Sequence, residues 1–253
     1  GYDNENNLTV TAKLTDMINP NLDAGYPVIL GILGEIGHAL IVDGYGYNED
    51  TLYHHLNFGF EGAYDIWYNL PHILDYDAVT HCVYNCFPDT EGEIISGRVT
   101  DAHGQPVAAA TVTALSTQGS FSSTTNKKGI YALAGIPAPA AYRITAAKPH
   151  LEFRTLMTKL NVSESFTPIT GNRWQVDLRA FAAGDHNKDR QVNLLDFALF
   201  AQDWRTSSSR TLSRPELHAI GDAHVDLVDA FDLKLFMLDW LVGADQEVPT
   251  GGR

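Results

Sequence analysis

Gly37-His38-Ala39-Leu40-Ile41-Val42-Asp43-Gly44-Tyr45 and, shortly after, Tyr53-His54-His55-Leu56-Asn57-Phe58-Gly59-Phe60 are the two segments on which the reading turns. In the first, a histidine opens an apolar run that predicts a buried strand. The second is a β-like run that ends at an asparagine among aromatics and glycines. A histidine base and an amide on neighbouring strands are the later two-thirds of a Cys-His-Asn arrangement. In it the amide oxygen holds the imidazole in the tautomer that accepts a thiol proton. A histidine opening a strand is ordinarily structural, so the surrounding segments decide.

Those segments run Gly25-Tyr26-Pro27-Val28-Ile29-Leu30-Gly31, then Gly-His-Ala, then Asp43-Gly44-Tyr45, then Leu-Asn-Phe-Gly-Phe-Glu-Gly. Over about residues 20 to 70 the chain resembles the C-terminal half of streptopain-like cysteine peptidases, which have a papain-like fold. The resemblance implies His38 as general base, Asn57 as the residue that orients it, and Phe58 with Phe60 as its shield. Phe58 and Phe60 stand where that family usually has tryptophans, so the aromatic wall is kept and the indole N–H is not.

The nucleophile is the gap. In papain-type order the cysteine precedes the histidine by roughly 130–150 residues, and 37 residues precede His38 here. The two cysteines, Cys82 and Cys86, follow it and do not open a helix ahead of the base, where a thiolate is stabilised. They read as a structural or free pair at the end of the first domain. In an extended strand their spacing is too wide for a disulfide, which would need a turn.

Charge divides the chain. Residues 1–89 hold 13 Asp and Glu against the single Lys13, residues 90–182 hold 6 acids and 9 bases, and residues 183–253 hold 12 and 7. A dense basic patch is missing from every segment, which excludes nucleic acid as a partner. An acidic first domain favours basic protein substrates or serves as a solvated face. No run of eighteen apolar residues predicts a membrane span. Residues 1–10 lack the basic start and apolar core of a signal peptide. With no initiator methionine, the sequence reads as a downstream part of a secreted, extracellular precursor.

In chain order, residues 1–19 read as a frayed or helical lead-in broken at Asn19-Pro20-Asn21. Strands are expected at Pro27–Leu30, 38–43 and 51–56, the last two joined by a Gly-Tyr-Gly-Tyr-Asn turn, and at Ala63–Leu70. Composition changes near Phe87–Gly92, giving a first domain at 1–89. The next ninety residues predict seven strands, Ile94–Thr100, Ala110–Leu115, Phe121–Thr125, Ile130–Leu133, Ala141–Ala147, Phe153–Leu160 and Trp174–Leu178, hence a β-sandwich at 90–182. Gly97-Arg98-Val99-Thr100-Asp101, Gly104-Gln105-Pro106-Val107, Ala110-Thr111-Val112 and Gly129-Ile130-Tyr131 resemble the carboxypeptidase regulatory-like domain. That likeness implies a spacer or stability module without chemistry of its own.

Residues 183–253 contain a repeat. Val192–Trp204 aligns with Val228–Trp240 at an offset of 36 without a gap over thirteen positions. Each half is an acidic loop leading into an amphipathic helix. In the first loop Asp185, Asn187, Asp189, the Gln191 carbonyl, Asn193 and Asp196 have the spacing of an oxygen shell for calcium of EF-hand type. The same residues also read as a surface loop capping the following helix. Arg190 stands where such loops use glycine for a sharp turn. The second loop is one residue short and degenerate, with Asp222, Asp226, Asp229 and Asp232 as ligands and His224 standing off. Arg205–Arg210 joins the halves, and the tail from Gly243 reads as disordered. Together the halves resemble a dockerin domain, which implies calcium-dependent folding and a cohesin-type scaffold as partner.

The expected fold is therefore multidomain: an α+β, mostly β papain-like C-terminal half, a β-sandwich, and a small all-α module of paired calcium-loop helices. The expected function is the C-terminal part of a secreted cysteine endopeptidase acting on protein or peptide substrates and tethered by the calcium module. The alternative is a non-catalytic secreted protein that docks through calcium.

Overall fold

The computed structural model of the chain describes residues 2–3, 12–87, 91–149, 151–163, 170–182, 184–203, 233, 236–237 and 240. They form two compact units. One holds Gly1–Val99, Val107–Ala146 and Thr155–Leu178, and the other holds Thr100–Pro106, Ala147–Arg154 and Arg179–Arg253. Strands dominate, alongside the helices α1 (Ala12–Asp23) and α2 (Leu194–Asp203).

In the first unit β1 (Tyr2–Asp3), β2 (Val28–Leu33), β3 (Gly37–Asn48), β4 (Thr51–Asn57), β5 (Ile66–Tyr68) and β6 (Ala78–Val83) make one sheet, ordered β1-β6-β2-β3-β4-β5. Residues two apart on a strand share a face. Leu30, Ile32, Leu40, Val42, Leu56, Val79 and Cys82 thus lie together on the inner side. Leu14, Met17 and Ile18 of α1, at helical spacing, close that core.

Pro20 does not break α1, contrary to the sequence reading. A mid-helix proline loses a backbone donor, but the asparagines on either side tie the helix end to the fold. Asn21 Nδ2 donates to the Met17 carbonyl at 2.8 Å, and Asn19 Oδ1 accepts from His54 Nε2 at 2.8 Å. The helix ends on Gly25, at φ 82°, where Gly25 N–H donates to Leu22 O and Tyr26 N–H to Asn21 O.

The Gly-Tyr-Gly-Tyr-Asn segment is strand, not turn. β3 runs on to Asn48, opposite Thr51, and the chain reverses at Glu49-Asp50 with Glu49 at φ 53°. The expected strand at Ala63–Leu70 shrinks to Ile66–Tyr68. Glu61, Gly62 and Tyr64 all take positive φ, which coils the chain back before β5 can pair.

The sandwich strands are β7 (Glu93–Thr100), β8 (Thr111–Ser116), β9 (Gly119–Thr124), β10 (Ile130–Ile136), β11 (Ala140–Ala147), β12 (Leu156–Leu160) and β13 (Leu178–Arg179), in sheets β10-β7-β13 and β12-β11-β8-β9. Two expected strands are shorter than read. Phe153 bridges Ala180 instead of extending β12. The stretch from Trp174 is irregular because Gln175 sits at φ 57°, with Arg173 and Val176 bonding to Ile94 and Ser96 on either side of it. Val176 passes so close to β7 that a Cβ on Gly97 would lie 2.3 Å from its carbonyl oxygen.

The six-stranded sheet with α1 and the sandwich are joined by a polar seam. Asn85 N–H donates to Asn21 Oδ1 at 2.8 Å, its amide reaches Asn172 Oδ1 at 3.0 Å, and Asn172 Oδ1 also accepts from Ile94 N–H at 2.8 Å. Asn21 and Asn172 are fully buried. Removing any one of the three would strand buried polar partners, so the seam favours a single arrangement of the two layers.

In the second unit α2 packs through Phe200 against Phe236, their ring centroids 5.5 Å apart. These are the same position of the two sequence repeats. Leu233, Phe236 and Met237 are helical. The second loop's Asp222, Asp226, Asp229 and Asp232, the joining stretch 205–210 and the tail from 243 lie outside the described residues.

Candidate functional site

His38 is the second residue of β3 and stands opposite Ile32, on the inner face at the open end of the sheet. Its imidazole is half-buried and lies against two phenylalanines. The Phe60 ring is 4.8 Å away at 23° and the Phe58 ring 5.7 Å away at 15°. Nε2 is 3.0 Å from the Phe58 carbonyl oxygen. A carbonyl can only accept, so Nε2 carries the proton and Nδ1 keeps its lone pair.

The Phe58 peptide is itself held from the other side, because its N–H donates to Asp65 Oδ1 at 2.8 Å. Asn57, at the end of β4 opposite Ile41, accepts from Gly59 N–H through Oδ1 at 2.9 Å. That bond shapes the turn that brings Phe58 and Phe60 to His38. The structure therefore brings His38, Phe58 and Phe60 together, with Asn57 bonded one step back along the chain.

Asp65 was not read from the sequence as part of the site. An acid just past Gly-Phe-Glu-Gly, in a tightly coiled segment, was its only signal. The Phe58 carbonyl has no side-chain signature at all.

A cleft of about 700 Å³ opens beside the two phenylalanines, lined by Gly34, Glu35, Ile36, Phe58, Phe60 and Tyr76 among others. Both cysteines are free. Cys82 is fully buried on the inner face, opposite Leu30, and burial pushes its thiol up to about 12. β2 separates Cys82 from β3, and His38 is one same-face step further along. That puts the two roughly 12 Å apart by strand spacing. Cys86 is exposed, beyond β6. Neither has the electropositive, accessible setting of a reactive thiolate.

His54 makes the instructive contrast. It is buried with Nε2 on Asn19 Oδ1, its Nδ1 has no partner, and burial pushes it down to about 4.

In the second unit the first acidic loop folds around its own carboxylates. Oxygens of Asp185, Asp189 and Asp196 lie within 4.8 Å of one another, and Asp185 and Asp196 are buried. Asp196 accepts from Asn187 N–H at 3.1 Å and from Asn193 N–H at 3.0 Å. Asp185 accepts from Asp189 N–H at 3.1 Å and from Arg190 N–H at 2.8 Å. Burial raises the Asp185 carboxyl above the usual range, and Asp196 and Asp189 add to this against the Arg190 N–H. Arg190 takes φ 75°, the conformation in which a side chain costs about 1 kcal/mol or more over glycine. Lys188, next to these acids in sequence, turns to Glu152 at 3.1 Å and to the Phe181 ring. Asn193 Oδ1 accepts from Leu195 N–H at 2.9 Å and caps α2, as the capping reading of this loop expects.

Residues 1–68 match the Peptidase C10 family and residues 94–167 the carboxypeptidase regulatory-like domain. No curated protein matches the chain. Among solved structures, an N-terminal interface mutant of a type II cohesin–X-dockerin complex from Acetivibrio cellulolyticus is 18% identical, with a TM-score of 0.27, over 60% of this chain and 99% of that one. The corresponding C-terminal interface mutant is 15% identical, with TM-score 0.27 and the same coverage. A 3-chlorocatechol 1,2-dioxygenase from Rhodococcus opacus is 16% identical, with TM-score 0.26, over 37% of this chain and 61% of that one. At such TM-scores none of the three bears on this chain.

Proposed function

We propose that residues 1–89 are the histidine-bearing half of a secreted cysteine endopeptidase of streptopain type, carried with a sandwich at 90–182 and a calcium-binding docking module at 183–253. The observation that carries this reading is the His38 geometry, in which Nε2–H is committed to the Phe58 carbonyl and Nδ1 is left to take a proton. The match of residues 1–68 to the Peptidase C10 family supports it.

In this reading His38 Nδ1 accepts the proton of a cysteine thiol and the thiolate attacks a peptide carbonyl. His38 then returns the proton to the leaving amine, and water hydrolyses the acyl-enzyme. Phe58 and Phe60 hold the imidazole plane, Asp65 fixes the Phe58 peptide, and Asn57 fixes the turn. The cleft beside Phe58 and Phe60 takes the substrate chain. Cys82 and Cys86 are unsuited to the nucleophile's part, so the thiol comes from polypeptide outside these 253 residues. The chain alone is then inactive.

The in-frame coding sequence upstream of Gly1 tests this. A cysteine opening a helix roughly 130–150 residues before His38 supports the peptidase. An unrelated sequence there leaves the second reading, a non-catalytic protein that docks through calcium, which the setting of both cysteines favours. Casein hydrolysis by the 253-residue chain, abolished by His38→Ala, would overturn both.

For the acidic loop, Asp185, Asn187, Asp189, the Gln191 carbonyl, Asn193 and Asp196 are the proposed calcium shell, with Asp222, Asp226, Asp229 and Asp232 as a weaker second set. The convergence of three carboxylates in one fold-back loop supports the first set. Calcium bound there neutralises them and adds binding energy to folding. A cohesin-type scaffold is the partner that the dockerin resemblance implies. Calcium at a hundredfold excess over Kd should stabilise this unit by about 3 kcal/mol, read as a higher Tm that EDTA reverses. A melt indifferent to calcium removes this part of the reading.

A further inference from the structure

The outer face of the sheet carries an aromatic surface that the His38 site does not use. Trp67 on β5 lies across β3 where two glycines replace side chains. A Cβ on Gly44 would meet the indole at 3.7 Å and one on Gly46 at 3.6 Å. The ring therefore rests on bare backbone. His55 packs edge-on to it at 5.3 Å, and Asp43 Oδ1 holds His55 Nδ1 at 2.6 Å. Tyr53 stands on the same face as the indole, opposite Gly46, and Gly46, Tyr47, Asn48, Tyr53 and Trp67 line a cavity of about 390 Å³. Trp67 is 53% exposed, an unusual state for a ring so firmly seated.

The charge around them has one sign. The adjoining turn is Glu49-Asp50, and Asp43 stands behind His55. Residues 1–89 hold 13 acids against Lys13. An open indole face in a negative field attracts a cation, and the methylenes of a long basic side chain cover apolar ring surface as they pass. The cavity lies about ten residues along β3 from His38, roughly 30 Å by strand rise, so it is separate from the cleft at Phe58.

We propose that Trp67 and Tyr53 form a binding site for an arginine or lysine side chain of a protein partner. A neutral sugar stacks on the same kind of ring but gains nothing from the carboxylates, which is why a cation is the favoured occupant.

The test titrates the 253-residue chain with an end-capped Gly-Arg-Gly-Arg-Gly peptide, following the Trp67 Nε1–H resonance by NMR and affinity by calorimetry. The arginine peptide should shift that resonance. Its citrulline counterpart should bind about tenfold more weakly or less, as should the arginine peptide to Trp67→Ala, the size of one cation–π contact. Trp67→Phe should keep affinity within about threefold. Tyr53→Ala provides an independent reading if Trp67→Ala does not fold. Equal binding of citrulline and arginine peptides, unchanged affinity in Trp67→Ala or Tyr53→Ala, or a shift produced by a glucose oligosaccharide and not by the arginine peptide would overturn the proposal.

Discussion

His38 and His54 sit on neighbouring strands of one sheet and differ in everything that decides what a histidine does. His38 is at the open end, half-buried, with Nε2–H on a backbone carbonyl and its ring stacked on Phe58 and Phe60, which line a cleft. His54 is in the core with a true asparagine partner, Asn19, and burial pushes it down to about 4. The sequence reading looked for a histidine held by an asparagine side chain, and the buried structural histidine is the one with that bond. A histidine–amide pair is thus not in itself the mark of a proton-transfer site.

That contrast can be broken most forcefully at His54. His54→Ala removes a fully buried ring and orphans Asn19, so it should cost about 3 kcal/mol in urea unfolding. His38→Ala should cost less than about 1 kcal/mol, since its ring lies at the open end of the sheet and is not part of the buried core. Similar losses at the two positions would erase the distinction.

Acid should act on the pair unequally. His54 is pushed down to about 4 in the folded state against an ordinary value near 6.5. Its contribution is therefore complete above pH 6.5 and is lost as pH falls through about 4. Asp16 and Asp23 run the other way. Burial raises both to about 6, so their contribution is complete below about 4 and is lost as pH rises through about 6. The difference between wild type and His54→Gln isolates the histidine. It should shrink by about 2 kcal/mol between pH 7 and pH 4. A difference constant with pH would mean that His54 is not held neutral by burial.

A smaller effect is expected at Asp65. Asp65→Asn weakens a charge-assisted bond to the Phe58 N–H, at a cost of about 1 kcal/mol. It should move the His38 ring resonances and leave those of His54 in place. Shifts at both histidines would mean a general loosening of the sheet.

Much of this was legible in the sequence, for identifiable reasons. Alternation of apolar residues placed β2, β3, β4 and most sandwich strands, because one face of each is buried. The offset of 36 foretold that Phe200 and Phe236 occupy matching positions, and they meet in the core. What escaped is what tertiary contacts decide. Pro20 stays in α1 because Asn19 and Asn21 tie that helix end into the core. Gly44 and Gly46 read as turn residues but leave room for Trp67. At the site His38 was legible from its context. The Phe58 carbonyl was not, since a backbone acceptor is common to every residue, and Asp65 depends on how tightly residues 59–65 coil.

The most direct measurement is the tautomer of His38, read by long-range ¹H–¹⁵N NMR on the 253-residue chain. The account predicts that the neutral form of the ring carries its proton on Nε2, with Nδ1 open to a proton or an alkylating reagent and His54 inert to the same reagent. A ring protonated at Nδ1, or a His38 no more reactive than His54, would contradict it.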